Sequence, residues 1–106
     1  MGGIAADTDV FRAVADPTRR ALIGLLHESD RSVVELADPF RMTRPAISQH
    51  LRILRDAGLV RVRRAGRKSL YRLNPRPLHE LHRWVAHYVE DPFGHVWSIR
   101  PRPKDK

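Results

Sequence analysis

The apolar residues early in the chain recur at the spacing of a helix with one buried side. They are Ala21, Leu22, Leu25 and Leu26. Asp16 and Pro17 directly precede this pattern, and both residue types are favoured where helices begin. The chain before them fits a shorter helix of its own. We therefore predict a first helix that ends near Ala15 and a second, core-facing helix that ends near Glu28.

A short third helix is marked by its capping residues. Ser32 and Glu35 have the spacing of a capping box, in which each side chain bonds a free backbone N–H at the helix start. Val34 and Leu36 are expected to face the core. Pro39 is expected to end the helix.

A fourth helix and a β-hairpin follow. Thr43 is placed to cap the helix and Gly58 to end it. Beyond Gly58, valine and arginine alternate over residues 60–63, and residues 70–73 can return as a second strand after a turn at 65–68. The sequence thus predicts two helices joined by a short turn and then a hairpin with a basic tip.

A last helix begins at Pro77, and its apolar residues share one side. These are Leu78, Leu81, Trp84, Val85 and Tyr88. The helix is expected to end near Asp91. The predicted fold class is mainly α with a small β-hairpin, in the order α-α-α-α-β-β-α. We expect one domain over residues 8–90 and a loosely ordered C-terminal tail over 91–106.

Charge is concentrated in one part of the chain. The net charge of the 106 residues is +8, yet residues 41–76 hold eleven Arg or Lys against one acid, Asp56, for a net charge of +10. Such a patch attracts a polyanion. We favour nucleic acid over a membrane surface, because the sequence has no long apolar run and no signal-peptide pattern. The absence of cysteine excludes disulfides and thiolate metal sites. These features predict a cytoplasmic protein.

The fourth helix has a core side and a basic side. At 100° per residue, Ile47, Leu51 and Leu54 lie on the first. The second carries Arg44, Ser48, Gln49, Arg52 and Arg55. The solvent-facing side of an ordinary helix usually carries both acidic and basic residues, whereas this side is almost entirely basic. We therefore favour a helix that lies in the DNA major groove. There Arg44 and Gln49 would bond base edges, Ser48 a base or a phosphate, and the other two arginines phosphates.

Two segments of the chain resemble a known family. VFRAVADPTRRALIGLL at 10–26 and TRPAISQHLRILRDAGLVRVRRAGRKSLYRL at 43–73 are similar to the ArsR family, the arsenic-repressor-like winged helix-turn-helix transcription regulators of bacteria. The resemblance covers roughly residues 8–90. It implies a repressor that reads a pseudo-palindromic operator in double-stranded DNA. It also implies DNA contacts by the fourth helix and the hairpin, at Thr43, Arg44, Ser48, Gln49, Arg67 and Lys68.

The resemblance further implies a homodimer formed by the first and last helices. Apolar residues on both helices would be buried between the subunits. They are Val10, Phe11, Val14, Leu81, Trp84, Val85 and Tyr88. An aromatic ligand pocket formed by Trp84, Tyr88 and Trp97 is the alternative, but aromatic residues at helical spacing more often pack an interface.

Metal sites that many such regulators carry are incomplete in this chain. Residues 33–38 hold no cysteine pair, and Asn74 and Arg76 stand where an Asp-x-His pair would supply zinc ligands. His87 and Glu90 match the other half of that pattern. We therefore predict no metal site and no cofactor, and no effector is evident. The roles of His79, His82, His87 and His95 are left open.

Other functions remain as alternatives. A winged-helix module could use its basic side for RNA or for a protein, although RNA readers usually expose stacking aromatic residues. An enzyme is not predicted, because no pair of titratable groups converges on a recognisable site. His50 lies near the centre of the core side of the fourth helix. It is expected to be partly buried and hydrogen-bonded between helices rather than to contact bases.

Overall fold

The computed structural model describes residues 9–89, and the predicted order of elements is present there. Residues 9–14 are helical and belong to α1. They are followed by α2 (Pro17–Glu28), α3 (Val33–Ala37), a 3₁₀ turn (Asp38–Phe40), α4 (Arg44–Asp56), β1 (Val60–Ala65), β2 (Lys68–Leu73) and α5 (Arg76–Val89). The mainly helical fold with one hairpin is confirmed. The domain limits at 8 and 90 and the tail over 91–106 lie outside the described residues.

The predicted caps form local hydrogen bonds at three helix starts. The Asp16 carboxylate accepts from the Arg19 backbone N–H at 3.0 Å, which lowers the pKa of Asp16. In the capping box, Ser32 N donates to Glu35 Oε1 at 2.8 Å, and this bond lowers the pKa of Glu35. Thr43 Oγ1 accepts from the backbone N–H three residues on, at 3.3 Å. These caps satisfy donors that helix starts leave without partners.

The core lies where α2, α3 and α4 meet the start of the hairpin. Its largest fully buried side chains are Leu22, Leu36, Ile47, Leu51, Leu54 and Leu59. They come from four successive segments of the chain, so the helix-turn-helix and the hairpin share one core.

Two residues predicted to face this core do not. Ala21 is exposed, because the buried stripe of α2 is centred on Leu22 and Leu26. Val34 is 51% exposed. In the five-residue α3, Leu36 and Ala37 face the core. Val34 lies about 200° around the helix from Leu36 and therefore faces solvent. Helix α3 ends at Ala37, ahead of Pro39 as predicted, and Pro39 lies within the 3₁₀ turn that follows.

The hairpin turn is shorter than predicted. Ala65 pairs with Lys68, so only Gly66 and Arg67 form the turn, and β2 starts at residue 68 rather than 70. Gly66 has φ of +66°, a conformation that tight hairpin turns require and that glycine adopts without strain. The basic tip therefore consists of Arg67 in the turn and Lys68 as the first residue of β2.

Backbone contacts attach the hairpin to the helices. The N–H of Tyr71 donates to Arg31 O at 2.7 Å, and the N–H of Arg31 donates to Tyr71 O at 3.1 Å, which joins β2 to the α2–α3 loop. At the other end, Asn74 Nδ2 donates to the Gly58 carbonyl at 2.8 Å. Gly58 ends α4 as predicted, with φ of +76°. These bonds fix the position of the hairpin beside α4.

Helix α5 packs loosely on the rest of the described chain. Leu78 contacts the core, but no residue of α5 is fully buried. The Trp84 ring meets the ring of Phe11 from α1 edge to face, with centroids 5.0 Å apart. Among residues 9–89, no helix has the length and apolar character needed to cross a membrane.

Candidate nucleic-acid interface

The polar side of α4 is open to solvent. Arg44, Ser48, Gln49, Arg52 and Arg55 are all exposed, while the opposite side buries Ile47, Leu51 and Leu54. Thr43, at the start of the helix, is exposed as well, although its hydroxyl oxygen accepts the capping bond. The structure thus brings six candidate DNA-binding residues onto one rod-like surface about 20 Å long, at 1.5 Å per residue.

A cleft separates the last two turns of α4 from the hairpin. Its volume is about 480 Å³, and it is lined by Ser48, Arg52, Arg55, Asp56 and Tyr71. Tyr71 was not among the residues that the sequence indicated. Its position depends on how the hairpin folds back against α4, which the alternation of residues along β2 does not reveal. The lining combines two guanidinium groups, which donate hydrogen bonds, with the Asp56 carboxylate, which accepts them.

The basic residues of the hairpin fall into two groups. Arg63 and Arg72 each lie 3.6 Å from a carboxylate oxygen of Asp30. At the tip, Arg67 and Lys68 are exposed and form no ion pair with a described residue, although the charge of Lys68 contributes to the lowered pKa of Glu35. Arg61 and Arg64 are likewise exposed and form no ion pair with a described residue, so Asp30 compensates only two of the six basic residues of the hairpin.

His50 has the predicted role of a partly buried residue bonded between helices. Its Nδ1 lies 3.3 Å from Arg19 Nη1 of α2 and 3.9 Å from a carboxylate oxygen of Asp16. This places the ring on the side of α4 away from Gln49 and Arg52. His50 is thus excluded from the exposed basic side.

Three of the residues predicted for a dimer interface, Phe11, Trp84 and Tyr88, lie next to one another. All three are exposed, Tyr88 to 72% and Trp84 to 49%. Three other residues predicted for the interface, Val14, Leu81 and Val85, are half-buried. The expectation that Val10 leaves apolar surface for a second subunit is wrong. It is only 4% exposed, because it faces inward from α1 while Phe11 faces outward.

The histidines do not assemble a metal site within the described range. Among residues 9–89, no three His, Cys, Asp or Glu side chains gather closely enough to hold a metal ion. His79 and His82 stack with ring centroids 6.4 Å apart. Asn74, at a position where a zinc ligand would be needed, instead bonds Gly58. Glu90 and His95 lie outside the described residues.

These elements define a winged helix-turn-helix module, in which α3 and α4 form the helix-turn-helix and β1 and β2 the wing. Residues 16–62 match the model of the family described as bacterial regulatory protein, arsR family. The chain belongs to this family of regulators.

Named relatives and solved structures agree with this assignment. The chain is 45% identical over 88 residues to the HTH-type transcriptional repressor SmtB of Mycobacterium tuberculosis, covering 83% of this chain but only 60% of that relative. It is 35% identical over 81 residues to the transcriptional repressor SdpR of Bacillus subtilis, covering 76% of this chain and 90% of SdpR. The homodimeric winged helix-turn-helix domain Mb0332 of Mycobacterium bovis superposes with a TM-score of 0.69, at 27% identity, covering 89% and 92% of the two chains.

Proposed function

We propose that this protein is a dimeric transcriptional repressor that binds a specific pseudo-palindromic site in double-stranded DNA, in the cytoplasm. The observation that carries the proposal is the exposed side of α4. Its arginines form no ion pair with any described residue, and Ser48 and Gln49 lie among them. A flat protein partner would not require such a convex basic rod, whereas a major groove about 12 Å wide admits one helix.

Within this proposal, the first two turns of α4 read sequence. Arg44 suits the acceptor pair on the major-groove edge of guanine, and Gln49 suits the donor and acceptor of adenine. Ser48 is small enough to allow close approach to a base or a phosphate. The Thr43 hydroxyl can still donate to a phosphate, because its capping bond uses the oxygen as an acceptor.

Other basic residues hold the phosphate backbone without reading bases. Arg52 and Arg55 line the cleft beside the hairpin, where a phosphate could accept from both guanidinium groups. Arg67 and Lys68 extend from the wing tip toward the flanking backbone. Such contacts raise affinity on every sequence and make binding depend on salt.

The dimer of the proposal uses α1 and α5. Phe11, Trp84 and Tyr88 leave adjacent aromatic surface uncovered in the single subunit, which a second copy would bury. The relative Mb0332 is described as homodimeric. Half-sites one helical turn apart, about 10 to 10.5 base pairs or a multiple of this, would then meet the two α4 helices.

The alternative use of the basic side for RNA finds no support in the described residues. Phe11, Trp84 and Tyr88, the exposed large aromatic side chains, lie on α1 and α5, and Tyr71, in the cleft beside α4, is half-buried. Stacking of unpaired bases would require exposed aromatic side chains on the basic side of α4.

Selection of fragments of the source genome by the purified protein tests the proposal. Binding isotherms on a recovered fragment and on a scrambled duplex of equal composition should differ by about a thousandfold or more at physiological salt. Equal affinity for both duplexes would contradict sequence-specific binding, and tighter binding to single-stranded RNA of the same length would favour the alternative.

A further inference from the structure

The side chain of Arg19 joins three helices. From α2, its Nε donates to Ala13 O at 2.9 Å and its Nη2 donates to Arg12 O at 3.0 Å, so that two carbonyls at the end of α1 are satisfied. Its third nitrogen, Nη1, lies 3.3 Å from His50 Nδ1 on α4. One guanidinium group therefore bonds α1 and α4 at once.

The chemistry of this contact fixes the direction of the hydrogen bond. Arginine has no acceptor, so a hydrogen bond between these two nitrogens requires that His50 Nδ1 accepts and that the neutral imidazole carries its proton on Nε2. Asp16 Oδ2 lies 3.9 Å from the same nitrogen and also accepts from the Arg19 backbone N–H. The Asp16 carboxylate therefore lies beside the imidazole, at the start of the helix that carries Arg19.

The neighbouring Arg20 provides a natural comparison. Its Nη1 donates to Val14 O at 2.8 Å, so it also satisfies a carbonyl at the end of α1. It forms no hydrogen bond with α4 among the described residues. Arg19 and Arg20 therefore share charge, helix and capping role, and differ in the contact with His50.

We propose that Arg19 is a positioning residue that sets the separation of the two α4 helices in the dimer. This inference rests on the proposed dimer, in which α1 takes part in the interface and α4 reads DNA. Ala13 packs α1 against the core, but apolar contact is non-directional and permits small rotations. The hydrogen bonds of Arg19 are directional, and they connect the end of the interface helix to the reading helix.

The consequence for DNA is a fixed spacing between half-sites. One base pair changes the position of a half-site by about 3.4 Å along the axis, and a turn of 10 to 10.5 base pairs implies about 35° of rotation with it. A dimer whose α4 helices are held at one separation rejects a site with one base pair added or removed. A dimer with a loosened α1–α4 connection tolerates such sites.

The first test needs no DNA. Because the chain has no cysteine, Asp56→Cys introduces a single attachment point for a spin label at the exposed end of α4. Pulsed electron resonance then measures the distance between the two labels of the dimer. We expect a narrow distribution in the parent and with Arg20→Lys, and a broader one with Arg19→Lys, which keeps the charge but cannot reach both helices.

The outcomes separate this inference from the proposed function. If no distance between labels is detected at concentrations where the parent should pair, the dimer itself is wrong and the inference fails with it. If a distance is detected and Arg19→Lys is as narrow as Arg20→Lys, the dimer stands and the role of Arg19 is overturned.

The second test examines the acceptor on α4. His50→Asn keeps an acceptor at the position of Nδ1, whereas His50→Leu keeps bulk without one. The measured quantity is the ratio of the affinity for the recovered operator to the affinity for versions with one base pair added or removed. His50→Leu and Arg19→Lys should lower this ratio about tenfold, the equivalent of one charge-assisted hydrogen bond. His50→Asn should retain it. If His50→Leu and His50→Asn keep the same preference at equal thermal stability, the contact does not position α4.

Discussion

Trp84 offers a direct perturbation of the proposed dimer. Its side chain is 49% exposed in the single subunit, and it lies between the rings of Phe11 and Tyr88. An aromatic side chain can bury about 150–250 Å², so roughly 100 Å² of Trp84 is left for a partner. At about 25 cal/mol per Å² this is ~2.5 kcal/mol per subunit, or ~5 kcal/mol for the two copies that a two-fold interface contains. Trp84→Ala should therefore weaken dimerisation by about a thousandfold or more.

Sedimentation across a concentration series measures this effect. The parent should have twice the chain mass at micromolar concentration, and Trp84→Ala should be monomeric there. Val34→Ala is the matched control, because Val34 is 51% exposed but lies on α3. The dimer dissociation constant of Val34→Ala should equal that of the parent. A Trp84→Ala protein that stays folded and dimeric, or a Val34→Ala protein that dissociates equally, would refute the assignment of the interface to α1 and α5.

Three further predictions concern the wing, metals and acid. Replacing Arg67 and Lys68 together by alanine should weaken binding to operator and scrambled DNA alike and make the salt slope shallower by about two units; an unchanged slope would mean that neither residue meets a phosphate. Added zinc, cadmium or arsenite should change operator affinity by less than about threefold; calorimetry that detects tight zinc binding together with release of DNA would contradict this. The pKa of Asp16 is lowered by the Arg19 backbone N–H, so Asp16 stabilises the fold above its unfolded pKa and ceases to do so as pH falls through its folded pKa. Denaturant titrations below about pH 5 should therefore give a smaller acid-induced loss of stability for Asp16→Asn than for the parent, and equal losses would exclude this role.

Helix boundaries could be predicted because their signals are local. Asp16, Ser32 and Thr43 each bond a backbone N–H within three residues, and Gly58 takes up the positive φ that ends α4. Such contacts depend little on the rest of the fold. The exposed side of α4 could be predicted for a similar reason, since a 13-residue helix gives its apolar stripe enough turns to be recognised.

Positions that depend on tertiary packing could not be predicted in the same way. In the five-residue α3, a single turn gives no stripe, and the prediction that Val34 faces the core is wrong. The contact between Arg19 and His50 joins residues 31 positions apart. The place of Tyr71 in the cleft follows from the docking of the hairpin on the α2–α3 loop. Neither leaves a periodic signal in the sequence.

The division of labour between α4 and the wing is the central claim, and the binding of Gln49→Ala tests it most directly. The Gln49 side chain is exposed on the second turn of α4 and forms no hydrogen bond with another described residue, so its loss should leave the fold intact. Isotherms of the parent and Gln49→Ala should be measured on the recovered operator and on a scrambled duplex at equal salt. We predict a loss of about 1–3 kcal/mol on the operator and almost none on the scrambled duplex. An equal loss on both duplexes, or none on the operator, would contradict the claim that this helix reads the DNA sequence.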